Sequence, residues 1–319
     1  MAMIGYHASH EQFSPAQLLA CARRAESAGF QSVMCSDHFH PWSRAQGHSG
    51  HAWSWLGAAM ASTACPFGVV NAPAGRYHPA VIAQAAATLA QMFPQRFWLA
   101  VGSGEAINET ITGDPWPDKS ARNRRLREAV DVMRALWRGE EVDHDGAFTL
   151  RHARLYSLPD APPPLYVAAL SAATARWAAP WADGLITLGT PEAPVDDVIR
   201  AFRENGGAGK RVLVQVKVSF AEDDERALQS AFEQWKFNAV PRTDSENLET
   251  VADFERKAAR LAPDDVARVV HVSADPRRHV EWLRRYRDLG ADEIHVHNVS
   301  RAQEAFIDAY GRHVIGALE

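Results

Sequence analysis

The chain has 319 residues, 46% hydrophobic and 23% charged, with a formal net charge of −5. That is a globular composition, long enough to bury a large core without staples, and its acidic balance gives no electrostatic ground for binding nucleic acid or an anionic membrane. No apolar run reaches the length of a membrane span, and the three cysteines lack a paired metal spacing.

Each cysteine, Cys21, Cys35 and Cys65, sits among apolar neighbours and reads as a reduced core thiol. The start, Met1-Ala2-Met3-Ile4-Gly5-Tyr6, runs straight into a strand pattern without a leader, so a cytoplasmic protein is expected.

Met3 to His7 is the first predicted strand. Ser14-Pro15-Ala16-Gln17 opens a helix, with Ser14 as N-cap, Pro15 at the first position and Gln17 closing a capping box. Gly29 ends it. Gln31 to Cys35 is the second strand and delivers Ser36-Asp37-His38-Phe39-His40-Pro41-Trp42. The polar stretch from Ser43 to His51 is read as an active-site loop. A helix from Trp53 to Thr63 follows, then a strand, Phe67 to Val70, ending at Asn71-Ala72-Pro73.

His78-Pro79 begins a helix to Met92. The fourth strand, Arg96 to Val101, ends at Gly102-Ser103-Gly104-Glu105. A helix is predicted over Arg122 to Trp137, and alternation between Glu140 and Leu155 suggests a hairpin insertion. Strands over Leu165–Ala169, Gly184–Leu188 and Val212–Phe220 come next, with helices over Ala172–Ala182 and Val195–Glu204 between them. The region from Ala221 to Ala262 is helical with a break at Val240-Pro241-Arg242. A helix from Asp275-Pro276 to Leu289, a strand over Glu293–His297 and a helix over Gln303–Leu318 complete the chain.

Short apolar strands alternating with helices are the mark of a parallel sheet covered on both faces. Eight such units predict a closed (β/α)8 TIM barrel with loop insertions, one domain over residues 1–319, with an open doubly wound sheet as the alternative. In a barrel the residues following each strand share one rim. Asp37, His38 and Trp42, Asn71, Gly102 to Glu105, Leu170, Ser171 and Thr174, and His295, His297 and Asn298 would then meet there. A carboxylate, an imidazole and an indole on one rim suit proton transfer beside a stacked planar ligand. Ser171 and Thr174 begin a helix, where a phosphate is favoured, though Ser171 also suits a plain N-cap. Two His-X-His pairs, His38/His40 and His295/His297, allow a zinc-hydrolase reading among 14 histidines, but no metal is expected.

Three stretches, Ser36 to Trp42, Arg76-Tyr77-His78-Pro79-Ala80-Val81-Ile82-Ala83-Gln84, and Val101 to Glu109, resemble the luciferase-like flavin/deazaflavin oxidoreductases. The nearest likeness is to the branch of deazaflavin-dependent glucose-6-phosphate dehydrogenases, and it runs from Gly5 to near the C-terminus. The resemblance implies a flavin in the rim pocket, His38 as the base toward a substrate hydroxyl, Trp42 holding the reacting centre, and Glu105 as an acid or polar partner. Asp37 would lie beside the ring. Val70, Asn71, Gly102, Ser103, Gly104, Ala168, Ala169, Leu170, Ser171 and Thr174 would bind the cofactor. A cis peptide is implied at Val70–Asn71.

Departures from the branch shift the expected cofactor. Its Gly-Gly-Pro stretch is replaced by Leu170-Ser171-Ala172, and its sugar-phosphate lysine by Leu188-Gly189-Thr190-Pro191. The Ser/Thr pair resembles the phosphate site of FMN-using members. The expectation is therefore an FMN-dependent oxidoreductase passing hydride between flavin and a small-molecule substrate, with both a monooxygenase and a dehydrogenase or reductase left open. Alternatives are a deazaflavin-dependent alcohol or sugar-phosphate dehydrogenase, a metal-dependent hydrolase, or a non-catalytic flavin-binding barrel. A homodimer is expected.

Overall fold

The computed structural model describes residues 2–318. Its centre is a parallel sheet of β1 (Met3–Ala8), β2 (Ser32–Ser36), β3 (Phe67–Asn71), β4 (Phe97–Val101), β5 (Leu165–Ala168), β6 (Gly184–Gly189), β7 (Arg211–Ser219) and β8 (Glu293–Asn298). Each strand pairs with the next, and β8 returns to β1 with Met3 opposite Glu293 and Tyr6 opposite Val296. The sheet closes into a TIM-type barrel, as the alternation of elements predicts. Closure satisfies every strand edge, which an open sheet would leave exposed. One short bridge, His271–Val272 beside β7, was not signalled by the pattern because two residues carry no periodicity.

The barrel interior is filled by inward side chains of several strands, among them Met34, Trp98, Tyr166 and Leu213. Gly68 makes this possible, since a Cβ there would lie 1.9 Å from the Trp98 ring. The indole lies where β3 presents no side chain.

The helices begin where capping chemistry puts them. Ser14 and Gln17 form the reciprocal box at α1 (Pro15–Ser27), with Ser14 N–H donating to Gln17 Oε1 at 3.0 Å. The helix predicted from Arg122 starts earlier, as α2 (Lys119–Trp137), because the Asp118 carboxylate accepts from Ala121 N–H at 2.8 Å. The final helix, α3 (Gln303–His313), stops short of the predicted Leu318 and gives way to a 3-10 turn at Gly316–Leu318. The insertion between α2 and β5 is the expected antiparallel hairpin, Val142–Asp145 with Thr149–Ala153.

After β7 the chain breaks into four α-helices, Asp224–Trp235, Arg242–Ser245, Val251–Ala258 and Pro263–Ala267, and this insertion walls one side of the rim. Among the described residues no peptide bond is cis, so the bond implied at Val70–Asn71 is trans and β3 continues to Asn71, opposite Val101. No described helix is long and apolar enough to cross a membrane.

Candidate active site

The rim at the C-terminal ends of the strands opens into a cavity of about 480 Å³. His38 lies in its wall, directly after β2. Its Nδ1 meets Glu11 Oε1 at 2.5 Å, and the other Glu11 oxygen accepts from Ser9 Oγ at 2.8 Å. Glu11 is buried, which alone would raise its pKa, but the charge and hydrogen bond of His38 outweigh burial and bring it to about 2. For His38 burial opposes the charged ring, yet Glu11, then Glu105, raise its pKa above the ordinary value. Both shifts favour an imidazolium–carboxylate pair. With Nδ1 engaged, Nε2 is the nitrogen left for chemistry.

The carboxylate that meets His38 is Glu11, not its chain neighbour Asp37. Asp37 also lines the cavity but is bonded away from His38, its Oδ2 accepting from Trp53 Nε1 at 3.0 Å and Asn71 Nδ2 at 2.8 Å. Arg76 lies 3.1 Å from its other oxygen, donates to the Asp37 carbonyl at 2.6 Å, and reaches Glu109 at 2.8 Å. Burial works against the Arg76 charge, but Asp37 and Glu109 overcome it and raise its pKa. Asp37–Arg76–Glu109 is thus a buried brace that fixes the turn carrying His38. His40 does not join the cavity: its Nδ1–H donates to the Ile107 carbonyl at 2.9 Å. That bond separates the two histidines of the motif.

Trp42 lies edge-on to His38, ring centres 5.2 Å apart, and packs on Phe254 and Phe237 from the insertion after β7. The stretch from Ser43 to His51 was predicted as an active-site loop, but none of it lines the cavity. It braces from behind, with Ser49 Oγ donating to the His38 carbonyl at 2.8 Å and Gln46 Oε1 accepting from Trp42 N–H at 2.8 Å.

The turn after β4 places Gly102, Ser103, Gly104 and Glu105 in the wall. Gly104 has φ +81°, and a Cβ there would meet the Glu109 side chain at 2.8 Å, so the turn requires glycine. Lys119 donates to Ser103 Oγ at 2.7 Å, and burial lowers its pKa. Val70, Asn71, Ala168, Leu170, Ser171 and Thr174 also line the cavity. Ala169 does not; it faces the outer core, because successive strand residues alternate sides. Ser171 is the N-cap of the helix Ala172–Ala178, its Oγ accepting from Thr174 N–H at 3.3 Å.

On β8, Glu293, His295 and His297 all point inward, as the strand period of two predicts for the pair. Only His297 reaches the cavity; His295 sits deeper, 3.0 Å from Glu293. Burial drives the pKa of His297 well down, with Lys217 adding to it, so His297 is neutral. The His-X-His pairs therefore do not converge, and among the described residues no three His, Cys, Asp or Glu side chains are placed to hold a metal ion.

Two residues of the site had no role in the sequence reading. Glu11 follows β1 and so lies on the same rim, a signal available from the strand order. Lys217 lies within β7, on the inward face with Leu213 and Gln215, and a lysine inside so apolar a strand was itself the signal.

The model of the luciferase-like monooxygenase family matches residues 2–293. An F420-dependent glucose-6-phosphate dehydrogenase of Beutenbergia cavernae is 40% identical, covering 100% of this chain and 98% of its own length. One from Nakamurella multipartita is 38% identical, covering 98% and 96%. An F420-dependent secondary alcohol dehydrogenase, solved with an F420–acetone adduct, is 32% identical with a TM-score of 0.91, covering 100% and 99%. These relatives overturn the expectation of FMN and of an FMN-dependent reaction. The Ser171/Thr174 signal behind it has a local cause: the serine caps the helix and the threonine supplies the capped N–H.

Proposed function

Because this chain belongs to the luciferase-like monooxygenase family of flavin- and deazaflavin-dependent oxidoreductases, we propose that it is an F420-dependent dehydrogenase of a small alcohol. The observation that carries the reading is the His38–Glu11 pair in the cavity wall. It is an imidazole placed and tuned for proton exchange with a hydroxyl. The relatives named above supply the cofactor class.

The residues present fit such a cofactor. Asn71 lines the cavity and its Oδ1 is buried with no partner among the described residues, and the same holds for Trp235 Nε1. Unpaired buried polar atoms cost free energy unless a ligand meets them. Asn71, the glycine turn, Ala168, Leu170 and Ser171 would hold the deazaflavin, with Asp37 fixing the Asn71 amide. When bound, F420 supplies the acceptor for two electrons leaving the carbinol carbon as hydride. His38 Nε2 takes the hydroxyl proton, and Glu11 holds the resulting imidazolium at Nδ1. Trp42 shields that edge of the ring from water, and Glu105 lines the cavity without an ion-pair partner among the described residues.

Fluorescence titration of F420 and FMN into the purified protein tests the cofactor, and anaerobic decolorisation of F420 by secondary alcohols tests the reaction. Binding of F420 with no comparable binding of FMN is expected. Binding of FMN alone, or no F420 reduction by any alcohol, would sink the reading.

A further inference from the structure

Lys217 is buried on the inward face of β7 and lines the cavity. Its Nζ donates to Asn238 Oδ1 and lies 5.2 Å from the centre of the Trp235 ring. Both partners are uncharged. Among the described residues no carboxylate forms an ion pair with it. The other acidic groups of the cavity are committed elsewhere: Glu11 to His38, and Asp37 and Glu109 to Arg76. Glu105 remains, acting on Lys217 only through space. A buried ammonium without a counter-charge is costly, so a site that keeps one is built to receive negative charge.

The wall between Lys217 and His38 is a run of aromatic rings. His38 meets Trp42, Trp42 stacks on Phe237, Phe237 packs on Trp235, and Trp235 lies under Lys217. An apolar strip with a base at one end and an ammonium at the other describes a short molecule with a hydroxyl and an anionic group. The deep wall offers one positive charge. Of the other cations lining the cavity, Arg242 is exposed and Lys119 is half-buried and tied to Ser103 Oγ, and the strand-six exit Leu188-Gly189-Thr190-Pro191 brings no lysine. One buried cation balances a carboxylate; a phosphate dianion calls for more.

We propose that Lys217 is the specificity-determining residue of this site and that the substrate is a small hydroxy acid, its carboxylate held by Lys217 and its hydroxyl at His38. This rests on the dehydrogenase reading above. Burial brings the Lys217 pKa to about 8, so the ammonium form still predominates at neutral pH.

The test uses matched pairs with F420 as acceptor: 2-hydroxybutanoate against butan-2-ol, and glycerol 3-phosphate against glycerol. The wild type should favour 2-hydroxybutanoate over butan-2-ol at least tenfold in kcat/KM. Lys217→Met should collapse that ratio, chiefly through KM, and Lys217→Arg should restore most of it. Preference for the neutral alcohol, preference for the phosphate, or an undiminished ratio in Lys217→Met would each overturn the proposal. Calorimetric titration of 2-hydroxybutanoate into the protein without F420 separates the two claims. Binding that is lost in Lys217→Met and kept in Lys217→Arg supports Lys217 even if no F420 is reduced. No binding to the wild type removes the hydroxy-acid assignment, whatever the outcome with F420. If Lys217→Met fails to fold, the Arg variant decides: retained binding and preference support the ammonium, and their loss with the fold intact overturns it.

Discussion

At His38 the sign of a single interaction decides which charge state of the ring is favoured. Burial alone would keep the ring neutral, whereas Glu11 holds it charged more readily than usual. The base form is then populated only above a raised pKa. Alcohol oxidation should therefore climb with pH through an inflection above the ordinary imidazole value of about 6.5. In Glu11→Gln burial prevails, and the inflection in kcat/KM should move to lower pH. The reverse reaction, ketone reduction, needs the imidazolium and should lose its activity at lower pH than in the wild type. An unmoved inflection would mean that another group titrates. Removing the ring in His38→Ala should lower kcat by ~10²–10⁴-fold, the usual contribution of a positioned acid or base. His40→Ala, whose ring is tied to a backbone carbonyl outside the cavity, should fall by far less, and steady-state kinetics on both variants separates them.

Among the elements, the strand ends and the first turns of the helices fix the site. The Asp37–Arg76–Glu109 brace joins the end of β2 to the loop before the helix Pro79–Met92 and to the short helix after β4. Arg76→Ala would leave two carboxylates buried without their cation. A loss of about 3–5 kcal/mol in denaturant unfolding is expected, the scale for breaking a buried pair from one side. A loss near zero would show that water or protonation of Glu109, whose pKa burial already raises, compensates. Ser171→Ala tests a smaller device. As a helix cap the hydroxyl contributes about 1 kcal/mol, so a modest fall in unfolding free energy is expected.

For the whole molecule, the closed barrel turns ligand binding into stability, since a group held by several strand ends at once binds only the folded chain. F420 at ~100 times its Kd should add about 2.7 kcal/mol and raise Tm, while FMN at the same concentration should not; equal shifts in a thermal melt would reject the cofactor proposal. The sequence by itself determined the barrel: short apolar strands, helix caps such as Ser14 with Gln17, and turns such as the one at Gly104 act over a few residues, and their order along the chain assigns His38, Trp42 and Glu105 to one rim. The hairpin and the break at Val240-Pro241 were legible for the same reason. Only the tertiary structure decided which groups touch. Glu11 lies 27 residues from His38 in sequence and reaches it across neighbouring strands. Asp37 adjoins His38 in the chain yet is bonded away from it, because Trp53, Asn71 and Arg76 take its oxygens. Ser171 carried a phosphate signal that its capping bond explains. Lys217 acquires its meaning from what surrounds it, an ammonium among aromatic rings with every nearby carboxylate but Glu105 already paired, because charge balance in a cavity is set by all its walls together.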